Sequence, residues 1–414
     1  MSRNFLIDSF QSTKDGSKCG INPMSKKSKT FWNKLFVILA MALLTWELRA
    51  DSFELNGEYT DLFKAVRRGK LEELEPLVES FIAQGKNISD ALNEPYPSGL
   101  RTHKQNLLHE ACKWDRLEII EYLISKGLDV NAKDELGLTP LMIAVSTKHR
   151  YYNKDSNSVT TSSISSEKIR YLLLKGADPL AKSKSGMTLL HYAAYRVLDW
   201  FVEDLIAAKM DPNASDQNGW TPLHSATSGG HKNTVEILIR KGADPNASTQ
   251  SGRTPLYSAV SDGNKNIVEI LIRKGADVKA KTNRGYTLIH LAIERHNTDL
   301  VQFLIQNGGD VNAEWLDYEV APLHLAVKAN QPQIVLLLLT NGALPNIHSG
   351  RVKETPLHIA VTFNFIECAK ILLKYGADPN IKNGFKESPA ELARRLGHMS
   401  DLFKINKPKL QRSN

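Results

Sequence analysis

The fold is decided by two adjacent stretches, GWTPLHSATSGGHKNTVEILIRKGADPNASTQS (Gly219–Ser251) and GRTPLYSAVSDGNKNIVEILIRKGADVKAKTNR (Gly252–Arg284). They share one length and one order of polar and apolar residues. In the first, Thr221 suits a helix N-cap, and Pro222 suits the first helical turn, where its missing N–H costs nothing. The apolar segment VEILI is followed by Gly242, which suits the left-handed position after a helix. Each stretch therefore predicts two short helices and an extended turn.

The tetrad T-P-L-H, or a near copy of it, recurs along most of the chain. Its first residues are Asn106, Thr139, Thr188, Thr221, Thr254, Thr287, Ala321, Thr355 and Ser388. The successive steps are 33, 49, 33, 33, 33, 34, 34 and 33 residues. The outlying step of 49 equals 33 plus 16, so one unit carries an insertion. Spacing of this regularity indicates an array of structural repeats.

The tetrad, the GADPNA-like segment and the 33-residue period resemble the ankyrin-repeat family over roughly residues 60–400. The resemblance implies an all-α solenoid of stacked helix-turn-helix units with short finger loops. One helix pair cannot cover its own apolar faces, so neighbouring units bury them. In that family the tetrad histidine is a structural hydrogen-bonding residue that braces adjacent repeats, and we expect the same role here. The histidines concerned are His109, His191, His224, His290, His324 and His358.

The repeat pattern divides the chain into four parts. Residues 1–50 are predicted to be an N-terminal targeting segment, and residues 51–103 an N-terminal capping unit with a connector. Residues 104–387 hold the ankyrin repeats, and residues 388–414 form a C-terminal cap and a basic tail.

The unit that starts at Met187 lacks the tetrad proline and has Val197–Asp199 in place of the usual glycine between its helices. The unit that starts at Tyr286 has Leu288 in place of the proline. We expect both units to be locally irregular.

The 16 extra residues of the second unit lie at about 146–165. From the tetrad threonine to the helix-ending glycine there are 37 positions in this unit (Thr139 to Gly176) and 21 in a regular one (Thr221 to Gly242). The insertion is rich in Ser, Thr and Asn, so we do not expect it to pack a core. Two interpretations stay open: a tolerated disordered loop, and a functional loop on one face of the array.

An apolar run, LFVILAMALL, begins at Leu35 and extends to Trp46 behind a cluster of lysines. It is about half as long as the roughly 20 residues of a membrane-spanning helix. A basic region, a short apolar region and a following small residue are typical of a secretory signal, more so if translation starts at Met24. A cleaved signal, an uncleaved anchor and an apolar helix packed on the first repeat all remain open. The expected location is secreted, periplasmic or membrane-associated, with a cytoplasmic location as the alternative.

The net charge of +8 is concentrated at the two ends of the chain. Residues 1–50 carry eight Lys and Arg against three acids, and residues 394–414 carry six against one. The remaining 39 bases and 41 acids give the central body a charge of −2. Such a body is a poor electrostatic partner for phosphates, so nucleic acid is not expected as a ligand. The basic ends leave open a structural protein of the membrane surface.

The resemblance also implies where a partner binds. In ankyrin proteins the recognition surface is formed by the finger tips and the exposed side of the first helices. Position by position, this predicts a partner-binding set: Trp114, Met187, Tyr195, Arg196, Trp220, Arg253, Tyr286, Glu294, Arg295, Lys328 and Phe363. Aromatic residues and Arg are enriched at protein–protein hot spots, which favours a protein partner. For each of these residues the alternative is a side chain that only packs on its neighbour.

The sequence carries no pattern of a catalytic, cofactor or metal site. A Gly-rich phosphate loop, HExxH and G-x-S-x-G are all absent. Cys19, Cys112 and Cys368 form no CxxC pair, and the last two are interpreted as small buried residues. We therefore predict a monomeric, non-catalytic scaffold without cofactor or metal that binds a protein and is exported or membrane-tethered. A cytosolic ankyrin adaptor is the alternative.

Overall fold

The computed structural model describes residues 58–85, 105–147, 150–153, 158–161, 166–399 and 402–403. Its contacts divide the chain into two units, residues 1–60 and 61–414, and the architecture is that of the second. The predicted targeting segment, the end of the connector and the basic tail beyond Phe403 lie outside the described residues. Within the described ranges no helix combines the length and the apolarity that crossing a membrane requires.

In the described part of the chain, nineteen α-helices follow one another, most of them as pairs of a short first and a longer second helix. They are α1 (Glu58–Arg68), α2 (Leu71–Ala83), α3 (Leu107–Lys113), α4 (Leu117–Ser125), α5 (Pro140–Ser146), α6 (Ser166–Leu174), α7 (Leu189–Tyr195), α8 (Asp199–Ala207), α9 (Pro222–Ser228), α10 (Lys232–Arg240), α11 (Pro255–Ser261), α12 (Lys265–Arg273), α13 (Leu288–Glu294), α14 (Thr298–Gln306), α15 (Pro322–Lys328), α16 (Pro332–Thr340), α17 (Pro356–Thr362), α18 (Ile366–Lys374) and α19 (Pro389–Leu396). The predicted all-α solenoid of helix pairs is confirmed.

The first helix of each repeat begins at the tetrad. In α9, the Thr221 side chain accepts a hydrogen bond from the backbone N–H of His224, and proline occupies the first turn. The missing proline leaves the first helix at Thr188 regular, and the local irregularity of this unit lies at Val197, a β-branched residue with φ +62°. Helix α7 has seven residues, as α9 does, because the Thr188 backbone and hydroxyl still bond the ring of His191. The missing proline removes a preference for the first turn but no hydrogen bond.

The core runs between the helix layers along the whole array. Leu223 and Ala226 of α9 and Val235 and Leu238 of α10 are all fully buried. Helix α9 packs on α7 of the preceding repeat and on α11 of the following one. The apolar face of one pair is therefore covered by its neighbours, as expected for a solenoid.

The fingers that connect the helix pairs form a backbone ladder. The N–H of Gln217 donates to the carbonyl oxygen of Ser185 at 2.8 Å, and the N–H of Gln250 donates to that of Asn218 at 2.8 Å. Gly252 has φ +78°, and a Cβ there would come within 2.7 Å of the backbone nitrogen of Asn283. Only glycine fits this position, because the next finger passes so close.

In six repeats the tetrad histidine joins the repeat to the next finger. In His224, Nδ1 accepts from the backbone N–H of Thr221 (3.2 Å), and Nε2–H donates to the carbonyl oxygen of Arg253 (3.1 Å). Because one partner can only donate and the other can only accept, the ring is neutral with its proton on Nε2. The arrangement is common to His109, His191, His224, His290, His324 and His358. The predicted bracing role is confirmed.

The insertion lies between α5 and α6, as predicted from the spacing, because α5 ends at Ser146 and α6 begins at Ser166. Within it, β1 (Arg150–Asn153) and β2 (Ser158–Thr161) pair antiparallel in a hairpin. These strands were not expected from the sequence, because the Ser-, Thr- and Asn-rich composition speaks only against core packing. A two-stranded ribbon forms by backbone pairing, and tyrosine, valine and threonine favour strands.

Candidate partner-binding groove

One face of the array carries an open groove of about 330 Å³. It is lined by Ser146, Met187, Tyr192, Tyr195, Arg196, Trp220, Ser225 and Ser228. Four of the predicted partner-binding residues meet here: Met187, Tyr195, Arg196 and Trp220. We name these eight residues the groove.

Three consecutive first helices build the groove. Ser146, Tyr195 and Ser228 are the last residues of α5, α7 and α9. Met187 and Trp220 each stand one residue before the N-cap threonine of a first helix, at the end of a finger. The groove therefore has one wall of helix ends and one wall of finger residues.

Trp220 is held in place from three sides. Its indole Nε1–H donates to the Ser225 hydroxyl at 3.0 Å, and its ring lies 5.0 Å from the His224 ring. Its carbonyl oxygen accepts from Nε2–H of His191 at 3.0 Å. The indole is half-buried, so one part of the ring faces the groove. A rigid aromatic side chain loses little conformational entropy when a partner packs on it.

Arg196 supplies the one charge in the groove. It is the C-cap of α7, and its guanidinium lies 5.1 Å from the centre of the Tyr195 ring. Its Nε is buried and has no hydrogen-bond partner among the described residues. Burial lowers the pKa of Arg196 from its usual value, yet the group stays charged because that value is so high. The cation is partly desolvated and its Nε–H is unsatisfied.

Four groove residues were not predicted from the sequence, namely Ser146, Tyr192, Ser225 and Ser228. They nevertheless follow a register. Tyr192 and Ser225 come directly after a tetrad histidine, and Ser146 and Ser228 lie seven positions after a tetrad threonine. Counting from the tetrad would therefore have identified these four positions. They were not selected because serine is not enriched at protein–protein hot spots and Tyr192 lies outside the positions that the resemblance marks.

The remaining predicted residues lie outside the groove. Arg253 is exposed, 5.2 Å from the Tyr257 ring, and exposed Arg295 donates to the Ser261 hydroxyl at 3.0 Å. Phe363 is 54% exposed, and its ring stacks on Phe365 at 5.6 Å. Of the others, Glu294 and Lys328 are exposed, and Trp114 is half-buried with its indole N–H bonded to Glu110 at 2.7 Å.

Tyr286 lies in the core, contrary to the surface position expected for it. Only 8% of it is exposed. Its ring stacks on His290 at 5.4 Å and meets the edge of Trp315 at 4.8 Å. Trp315 belongs to a longer finger that covers Tyr286, which is why a position at a finger end is buried here. Burial raises the pKa of the Tyr286 hydroxyl.

Possible metal ligands and the two cysteines of the described ranges, Cys112 and Cys368, are the groups that could carry metal or thiol chemistry. No group of three or more His, Cys, Asp and Glu side chains there is placed to hold a metal ion. Cys112 and Cys368 are fully buried, which confirms their interpretation as small core residues. Burial raises the pKa of these thiols to about 12 and about 11, so neither forms the reactive thiolate at neutral pH.

Sequence models of known families match this architecture. A model of ankyrin repeats in three copies matches residues 161–249, 197–282, 239–314, 279–349 and 318–383, and a model of many ankyrin repeats matches residues 108–152. The chain belongs to the ankyrin-repeat family. The overlapping matches cover more than half of it, and they cover most of the residues that line the groove.

Individual proteins resemble this ankyrin protein over only part of its length, at 26–38% identity. Protein phosphatase 1 regulatory subunit 27 of Mus musculus is 38% identical over 81 residues, which are 20% of this chain and 45% of that protein. The ankyrin repeat domain of Bcl-3, a unique member of the IkappaB protein family, has a TM-score of 0.47 at 26% identity, covering 50% of this chain and 95% of that one. The human ASB11 ankyrin repeat domain has a TM-score of 0.43 at 29% identity, covering 50% and 91%.

The ankyrin repeats indicate a scaffold for protein–protein interaction. The chain spans less than half of the mouse relative's length.

Proposed function

We propose that this protein is a non-catalytic ankyrin scaffold that binds an extended segment of a partner protein in the groove. The observation that carries the proposal is the half-buried indole of Trp220, fixed by Ser225 and His224 and open to the groove. A fixed aromatic side chain in a concave site is the feature from which protein interfaces gain most of their binding energy.

The composition of the groove supports a protein ligand. Aromatic rings, a methionine, hydroxyls and one guanidinium offer apolar contacts together with a few oriented polar groups. A nucleic acid would instead call for a broad basic surface, and the central body carries a net charge of −2. The mouse relative is a regulatory subunit of a protein phosphatase, which also favours a protein as the ligand.

A comparative capture experiment tests the proposal. The full chain is immobilised, and proteins captured from the source lysate are quantified for wild type, for Trp220→Ala and for Trp220→Ala combined with Trp114→Ala. Trp200→Ala is the matched control, since Trp200 packs on Phe201 outside the groove. For a protein that binds in the groove, we expect the captured amount to fall on the order of tenfold or more with Trp220→Ala and to stay unchanged with Trp200→Ala. Capture that is equal for wild type and the double variant would reject this surface, provided that circular dichroism shows all variants folded.

We also propose that the protein is exported or tethered to a membrane by the N-terminal segment, residues 1–50, and that it acts as a monomer. The support is the order of lysines, a short apolar run and a small residue in that segment. Cell fractionation with N-terminal sequencing tests the location, and a mature chain that begins near Asp51 outside the cytosol is the expected result. A full-length chain found only in the cytosol would favour the adaptor alternative.

Sedimentation of the purified chain tests the oligomeric state, and a concentration-dependent dimer would contradict the monomer.

A further inference from the structure

We infer that the groove selects an acidic segment of its partner, in which an Asp or Glu carboxylate pairs with Arg196 beside an apolar side chain packed on Trp220. This inference rests on the proposed function and adds the chemistry of the ligand. Its two supports are the unsatisfied cation and the arrangement of the surrounding side chains.

The cation is the first support. Arg196 has a buried Nε without a hydrogen-bond partner among the described residues, and its guanidinium lies against the Tyr195 ring. Burial of this part of the side chain removes hydration from the cation, so a ligand that accepts from the guanidinium where it lines the groove gains binding energy. An anionic acceptor gains the most, because a charge-assisted hydrogen bond to Arg is about twice as strong as a neutral one.

The second support is that the groove contains no acidic side chain that could compete with a ligand for Arg196. None of the eight groove residues is Asp or Glu, so no groove carboxylate neutralises Arg196. By contrast Arg67, at the N-terminal end of the array, contacts Glu110 at 2.5 Å, and Arg395, at the other end, contacts Glu387 at 2.7 Å. Arg196 is partly buried and lacks such a partner among the residues that the structure describes, so the complementary negative charge has to come from the ligand.

The size and the charge of the groove favour a carboxylate over a phosphate group. A single guanidinium matches the single charge of a carboxylate with planar geometry, whereas a phosphorylated residue brings nearly two charges and is usually met by several arginines. The volume of about 330 Å³ lies at the lower end for ligand pockets. The groove therefore takes one or two side chains of an extended segment.

The finger residues of the groove offer the apolar part of the site. Met187 and Trp220 stand at the ends of successive fingers, and both line the groove. The Trp220 indole already donates its N–H to Ser225, so its remaining open surface is apolar. A segment that places an aliphatic or aromatic residue next to Asp or Glu satisfies both parts.

A random peptide display library, selected on the folded full chain, tests the inference. The same selection is made on Arg196→Gln and on Trp220→Ala. Arg170→Gln is the matched control, because the Arg170 guanidinium also lies over an aromatic ring, 5.5 Å from that of Trp200, but outside the groove. Selected peptides are then synthesised with the acidic residue intact or replaced by its amide, and their affinities are measured by titration.

We expect wild type and Arg170→Gln to enrich peptides with Asp or Glu beside an apolar residue, and Arg196→Gln to lose the acidic preference. For wild type, amide replacement should weaken binding on the order of ten- to a hundredfold, and for Arg196→Gln it should change little. Enrichment without acidic preference, or an amide effect that persists in Arg196→Gln, would overturn the inference. Peptides that bind wild type and Trp220→Ala equally would overturn the proposed function itself.

The chain's own insertion is the other occupant that the test distinguishes. Residues 148–165 are replaced by two glycines, which restores the regular spacing because 18 residues become two and the unit loses 16. Selection that succeeds only on this shortened chain would show that the insertion fills the groove, and it would overturn the assignment to a partner. Equal enrichment of acidic peptides on both chains supports it.

Discussion

We predict that mild acid destabilises the repeat array through its tetrad histidines. Burial lowers the pKa of His224, His290 and His324 to about 4 from the ordinary value of 6.5. The hydrogen bonds act in the same direction. Nδ1 of each ring faces a backbone N–H, and protonation would place two donors against each other.

The sign and the size of the effect follow from linkage. Between pH 6.5 and pH 4 the unfolded chain binds protons on these histidines and the folded chain does not. The contribution of each neutral ring to the free energy of unfolding is thus fully present above pH 6.5 and is lost as the pH falls towards 4. From pH 7 to pH 5 the loss is about 2 kcal/mol for each histidine, or about 6 kcal/mol for the three if they unfold together. This is comparable with the whole stability of many domains.

Urea unfolding followed by far-ultraviolet circular dichroism measures the effect at pH 7 and pH 5, at constant ionic strength. His224→Tyr is the informative variant, since Tyr257 occupies the tetrad position of the next repeat. We expect the variant to be less stable at pH 7 but to lose about 2 kcal/mol less than wild type on acidification. Equal stability of wild type at the two pH values, or an equal loss in the variant, would refute the reasoning.

Three further substitutions test individual contacts by urea unfolding at pH 7. Val197 has φ +62° where the next two repeats have glycine, so Val197→Gly should raise the free energy of unfolding by about 0.5–1 kcal/mol, and a decrease would contradict strain there. Lys168 is fully buried with Nζ 3.0 Å from Asp115, so Lys168→Met should cost about 3 kcal/mol and adding Asp115→Asn should recover part of it; a loss below about 1 kcal/mol would show that the ion pair is unimportant. Asn246 donates to a carbonyl oxygen (2.9 Å) and accepts from an N–H (2.8 Å) of the following repeat, so Asn246→Ala should cost about 1–2 kcal/mol, and an unchanged midpoint would argue against this bridge.

The amino-acid sequence alone determined the repeat architecture. The evenly spaced tetrads locate the first helices because capping and the first helical turn depend on residues only three apart, as in Thr221 and His224. The same counting located the insertion between two helices of one repeat. The strands within the insertion were not predicted, since a Ser- and Thr-rich run is compatible with either a loop or a two-stranded ribbon.

The tertiary structure alone decided which surface residues come together. Met187 and Trp220 are 33 residues apart in the chain, and only the stacking of their fingers places both beside Arg196. Tyr286 occupies an equivalent finger position, yet Trp315 of the next finger covers it. Local sequence specifies each helix pair through short-range hydrogen bonds and periodicity. Exposure at the repeat boundary depends on the length and the side chains of the neighbouring finger, which the sequence of one repeat does not contain.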